Sequence, residues 1–204
     1  VCLASPLRDV YKRQVLSSDG RHTAAGWKAT QFIPGHVRGR IDETAQMALR
    51  LDTALAEVPI PNGQRSDAFA RAERAAWEET GEAYRPALLA DVPLIPAHTA
   101  LLTTTVYHGS NPPGIVDIVP SESPRPAGWT AALVIVDGLI GQAVDDGICQ
   151  RFSHVPGMQE LLLRAVSYRR HVNDLHSASR SNTRSHIERV EQHLVSRASA
   201  ILER

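Results

Sequence analysis

The chain has 204 residues, with 22 basic and 22 acidic side chains and 43% hydrophobic residues. That is one domain's length with enough apolar material for a core, which excludes a disordered, collagen-like or disulfide-rich chain. The longest apolar run, residues 131–144, contains Asp137 and Gln142 and is too short and too polar to cross a bilayer, so no membrane span is expected.

In chain order, the first segment stands apart. The chain begins with Val1 rather than Met, and residues 5–14, SPLRDVYKRQ, resemble translated sequencing-adapter read-through of the kind found at the ends of metagenomic reading frames. Residues 1–14 are expected to be non-native, leaving 15–204 as a single, partial, mostly helical domain. Cys149 is then the only cysteine, no internal disulfide can form, and a cytoplasmic setting is expected. Charge is uneven: residues 15–150 carry 10 basic and 16 acidic groups, whereas residues 151–204 carry 9 and 5. An anionic partner or a solvated helix face would each account for the basic end.

Residues 15–40 are polar, glycine-punctuated and without a clear period. From Ile41 the pattern turns helical, with Met47, Leu51, Leu55 and Val58 on one expected face. Pro59, Pro61 and Asn62-Gly63 end this helix. Ser66 is the expected N-cap of the next, with Asp67 in its first turn. Phe69, Ala72, Ala76 and Trp77 form its expected apolar face, and Gly81 its C-cap. Residues 99–108 and 115–119 are rich in Thr, Val and Ile between proline turns, so the middle, 99–119, reads as strand-like or irregular. Residues 131–144 fit either a hairpin turning at Asp137-Gly138 or a buried helix, because an all-apolar run has no diagnostic period. After Pro156-Gly157, two apolar stripes follow: Met158 to Val172, then Ile187, Val190, Leu194, Ala198 and Ile201.

The most suggestive cluster is NDLHSASR, residues 173–180. On a helix, Asn173 and Ser177 project from one face, and a hard cation such as Mg²⁺ takes oxygen ligands of this kind. Arg180 follows one turn later, within reach of a phosphate oxygen. The same residue types also mark caps and turns. Upstream, Arg125 and Gly128 precede the apolar stretch ALVIVDGLIG (132–141), and VPGMQELLLRAVSYRRHVND (155–174) leads into the cluster. Further back stand LDTALAEVPIP (51–61) and AFARAERAAWEET (68–80).

In order and separation, these segments resemble the class I terpene synthases over residues 41–90 and 122–181. Asn173, Asp174, Ser177 and Arg180 match that family's second metal motif, and Arg125 matches its diphosphate-sensing arginine. The resemblance implies an all-α, terpenoid-synthase-like bundle and Mg²⁺-dependent ionisation and cyclisation of a linear isoprenyl diphosphate. It implies Arg125, Asn173 and Ser177 as the catalytic set, with Asn173 and Ser177 on the metal and Arg125 and Arg180 on the diphosphate. Metal ions and arginines would neutralise the leaving group, and an apolar cavity would shelter the cation from water. The chain departs from the family in three ways. Ser181 replaces the motif's final acid, 31–43 lacks the aromatic-Asp-Asp motif, and 91–120 reads strand-like where the family is helical. The resemblance favours an active synthase, and the missing first Asp-rich motif leaves an inactive one as the other outcome.

Two alternatives come from other classes. Residues 179–194 resemble the recognition helix of response-regulator-type transcription factors, in which Arg184 and Arg189 would contact nucleic acid. The third reading is a non-catalytic helical fragment. Asp145-Asp146 reads as a solvated turn rather than a metal site, and Tyr107-His108-Gly109-Ser110 lacks the downstream strands of the ADP-ribosyltransferase motif it resembles. The histidine spacings do not suit a helical zinc site, and Cys149 reads as a packed small residue.

Overall fold

The computed structural model describes residues 3–6, 27–30, 32–60, 65–175 and 181–202. In chain order its elements are β1 (Leu3–Pro6), β2 (Trp27–Thr30), β3 (His36–Val37), α1 (Ile41–Leu55), α2 (Ala68–Glu78), a 3-10 turn (Pro86–Leu89), β4 (Leu94–Ile95), α3 (Leu101–Thr104), β5 (Thr105–Tyr107), β6 (Gly114–Ile115), β7 (Arg125–Pro126), α4 (Trp129–Ile140), α5 (Ile148–Arg151), α6 (Met158–Asp174) and α7 (Ser181–Leu202). The fold is mainly α, with a few small antiparallel strands. Among the described residues, no helix is long and apolar enough to cross a membrane. The chain divides into two compact units, Val1–Gly39 with Ala100–Val119, and Arg40–Thr99 with Pro120–Arg204.

In the first unit, β1 pairs antiparallel with β2, and β5 lies between β3 and β6 in a three-stranded antiparallel sheet. The Thr/Val-rich stretch is thus split between a helical turn and a strand. Thr105 is buried and donates its hydroxyl to the Leu101 carbonyl at 2.8 Å, closing the turn just before the chain extends. Gly35 has φ +141°, and a Cβ there would stand 2.8 Å from the Tyr107 carbonyl oxygen, so this strand entry requires glycine.

The second unit is built around α4. Ten of its twelve residues are buried, as expected of a helix apolar on every side. That resolves the ambiguous run as a helix rather than a hairpin. α1, α6 and α7 pack on α4, and α2 packs on α6. Gly138 lets α1 approach closely, since a Cβ there would lie 2.7 Å from Ile41 Cγ2. An Asp137–Arg169 pair with contacts of 2.6 and 2.7 Å fastens α4 to α6.

Several expected details shift. The buried face of α1 carries Ile41, Ala45, Ala48, Asp52 and Leu55, whereas Met47, Leu51 and Val58 are only half-buried. The larger side chains misled because small alanines form the tight seam against α4. The N-cap of α2 is Asp67, not Ser66: its carboxylate accepts from the Phe69 and Ala70 amides at 3.0 and 3.1 Å. The helix stops at Glu78 rather than at Gly81, and Phe69, expected inside, is exposed. The stripe from Ile187 through Val190 and Leu194 to Ala198 is buried as read.

Candidate functional site

The feature best suited to chemistry lies within the second unit, at the C-terminal half of α1. Asp52 points from the buried face of that helix and is only 5% exposed. Its Oδ2 accepts from the Gly128 amide at 2.7 Å, at the N-terminus of α4. That amide has no partner inside the helix, and the positive end of the helix dipole favours an anion beside it. Gly128 adopts φ +99°, and a Cβ there would stand 3.0 Å from side chains of Leu161 and Val155. The position needs a residue without a side chain for the amide to reach the carboxylate.

Asp52 Oδ1 is buried and has no hydrogen-bond partner among the described residues. The Asp52 side chain lines a half-open cavity of about 530 Å³. Leu49, Thr53 and Ala56 of α1 form one wall, Leu88, Val92 and Ile95 another, and the turns at Ala127-Gly128 and Val155-Pro156 close the end. Asp91 is the second acidic residue of the lining, which contains no Lys, Arg or His among the described residues. Burial pushes the Asp52 carboxyl up to about 6, against the opposing pull of the Gly128 amide and the Thr130 hydroxyl. A carboxyl poised there, with one oxygen anchored and the other lacking a donor, can accept a proton or bind a cation.

The residues singled out by sequence occupy other places. Arg125 on β7 is buried: its Nε donates to Glu73 Oε1 at 2.9 Å and an NH2 to Glu122 Oε2 at 3.3 Å. Its guanidinium also lies over the Trp77 ring, 4.7 Å from the centroid. Glu73 is further held by the Trp129 indole at 3.2 Å and the Glu122 amide at 2.7 Å. Burial raises the Glu122 carboxyl, but hydrogen bonds from Arg74 and Ser123, with the Arg74 and Arg125 charges, hold it below the usual range. The surroundings of Arg125 are thus those of a buried ion-pair network, with its charge matched by two carboxylates.

Asn173 lies buried on the last turn of α6, which ends at Asp174. Ser177 and Arg180 lie outside the described residues, so the proposed ligand pair is represented by Asn173 alone. No hydrogen bond or ion pair joins Arg125 to Asn173 among the described residues. Nor does any group of three or more His, Cys, Asp or Glu there have the arrangement to hold a metal ion. Arg184 is exposed and pairs with Asp174 at 2.9 Å, whereas Arg189 donates to the Leu139 carbonyl at 3.0 Å at the C-terminal end of α4. Cys149 is buried, and burial raises its thiol above the ordinary value.

Sequence reasoning missed Asp52. The signal was present: Ile41, Ala45, Ala48, Asp52 and Leu55 step by 4, 3, 4 and 3, so a lone carboxylate interrupts a heptad-like apolar stripe. No protein-family profile, curated protein or solved structure gives a significant match to this chain.

Proposed function

We propose that the helical unit is a small-molecule binding domain and that its ligand occupies the cavity beside Asp52. The supporting observation is the cavity itself: about 530 Å³, walled by aliphatic side chains and provided with one buried polar group. That is the usual composition of a binding pocket, in which apolar walls supply affinity and a few polar atoms fix orientation. Thr53 is exposed and lines the cavity, so Thr53→Trp fills the space without entering the core. Titration calorimetry with a neutral apolar probe, 4-phenylbutanol, is expected to show binding that Thr53→Trp removes while the melting temperature is kept. Binding unaffected by the tryptophan would place the probe elsewhere and overturn the reading.

The isoprenyl-diphosphate reading remains the alternative. In its favour stands the cluster of Trp77, Trp129 and Tyr168, whose successive ring centroids are 5.2 and 6.3 Å apart, beside Arg125. Aromatic faces of this kind stabilise cations. Against it, a diphosphate would have to displace Glu73 and Glu122 from Arg125. A thermal melt with Mg²⁺ and inorganic diphosphate decides: a rise that needs both and vanishes in Arg125→Ala would favour it.

A further inference from the structure

We infer that the molecule bound in this cavity carries a protonated, N–H-bearing amine on an apolar body, and that Asp52 is the residue that selects it. This rests on the cavity being the ligand site. Three observations lead there independently of the cavity's size.

The first is the unpartnered Oδ1. An ionised carboxylate only accepts hydrogen bonds, and both of its oxygens need donors when water is excluded. Gly128 satisfies Oδ2 at 2.7 Å, and Oδ1 is buried without a donor on a side chain that lines the cavity. An ammonium placed there supplies the missing donor and an opposite charge together, the strongest class of hydrogen bond available to a protein.

The second is the sign of the lining. Among the described residues it contains Asp52 and Asp91, and no Lys, Arg or His. Asp52 is buried within while Asp91 is exposed. A cation meets attraction from both, whereas a carboxylate or phosphate would face two like charges with no compensating base.

The third concerns the kind of cation. Among the described residues, no Phe, Tyr or Trp lines the cavity. A quaternary ammonium has no N–H and is ordinarily held by aromatic faces, which are missing here. A primary or secondary amine suits a carboxylate oxygen, and the aliphatic side chains of Leu49, Leu88, Val92 and Ile95 suit its hydrocarbon body. The raised carboxyl value of Asp52 agrees with this: burial makes the anion unfavourable in the free protein, and a bound cation relieves that cost.

The alternative role for Asp52 is to cap α4 through Gly128 and nothing more. Three probes sharing one body separate the two: 4-phenylbutylamine, 4-phenylbutanol and 4-phenylbutyrate, titrated into the full chain at neutral pH. The amine is expected to bind at least about tenfold more tightly than the alcohol, as a charged hydrogen bond allows, with the butyrate weakest. Asp52→Asn can still accept from Gly128, and is expected to reduce the amine's preference over the alcohol to about twofold or less. Equal binding of amine and alcohol to the wild-type chain overturns the inference whether or not the variant folds. A preference that survives Asp52→Asn assigns the selection to another residue and also overturns it. If the alcohol binds and Thr53→Trp blocks it while the amine gains nothing, only the inference fails. If none of the probes binds, the cavity reading fails and the inference falls with it.

Discussion

A buried carboxylate facing apolar side chains costs the fold something, and at Asp52 that cost has a sign that can be measured. Its folded value of about 6 lies above the ordinary 3.8. The native state therefore holds its proton more tightly than the unfolded chain does. The stability from this group is fully present below 3.8 and is lost as pH rises through about 6. Asp52→Asn removes this dependence, so it is expected to be more stable than wild type at neutral pH by about 2–3 kcal/mol. That advantage should shrink to nothing as pH falls toward 4, as urea unfolding across the range will show. Glu79 and Glu122 work in the opposite sense: both are held below the ordinary range despite burial, Glu79 by Ser167, Arg170 and His171 and Glu122 chiefly by Arg74. Their stabilisation is present above the ordinary carboxylate range and is lost as pH falls through their depressed values. Arg125 gives a second prediction at this scale. Glu73 is 1% exposed, so Arg125→Ala would leave a buried carboxylate without its cation and should cost about 3–5 kcal/mol. Replacing both partners, Glu73→Gln with Arg125→Met, should cost less than the single change. An equal or larger loss in the double variant would mean that packing, not charge, holds the site.

Helix α2 shows which parts of an element are local and which are not. Its start depends on Asp67, whose carboxylate takes two amides that have no partner inside the helix. Asp67→Ala should cost about 1 kcal/mol, the usual worth of an N-cap, readable as a shift in the urea midpoint at constant slope. The other end is held from α6: Arg164 NH1 donates to the carbonyls of Ala76, Trp77 and Glu79 at 3.0, 3.0 and 2.6 Å, while Glu160 neutralises the guanidinium at 2.8 Å. Hence the beginning of α2 was legible within one residue, from the Ser-Asp pair, but its end was not. The atoms that satisfy its last carbonyls come from more than 80 residues away. The same division runs through the other helices. The stripe of α7 was legible because its apolar residues are large and regularly spaced. The buried face of α1 was misjudged because its seam against α4 is made of Ala45 and Ala48. The class of α4 could not be settled by period, since ten of twelve positions are buried. What settles it is tertiary: Gly138 admits Ile41, and Asp137 meets Arg169. The site was the least legible part, because the Asp52 cavity is assembled from four separated segments. A single sequence shows an interrupted stripe in one of them and nothing of the others.

Over the whole molecule, the opposed charges of the two ends of the sequence raise the question of an anionic partner. Much of that positive excess finds its match inside the second unit. Arg151 pairs with Asp42, Arg169 with Asp137, and Arg170 with Glu79 and Glu191, while His171 shares Glu79. Three of these acids, Asp42, Glu79 and Asp137, come from the acidic stretch before residue 150. The chain thus brings its acidic and basic segments together, and the asymmetry in sequence is largely spent on folding. The two arginines proposed for DNA are engaged as well, and unequally. Arg189 donates to the Leu139 carbonyl where the α4 dipole favours a cation, whereas the Arg184–Asp174 pair is exposed on both sides. An exposed pair is worth little to stability. Arg184→Ala is therefore expected to leave the melting temperature nearly unchanged, and Arg189→Ala to lower it. A fluorescently labelled duplex at low salt, where phosphate attraction is strongest, tests the other side. No saturable rise in anisotropy is expected, because Arg184 would have to give up Asp174, and Arg189 the Leu139 carbonyl, before either neutralised a phosphate. A saturable, salt-sensitive rise lost in Arg184→Ala would show that the Asp174 pair opens for phosphate and would restore the DNA reading. If the duplex stays free while Arg189→Ala melts earlier, the basic end serves to hold α7 against α4 and the DNA reading fails.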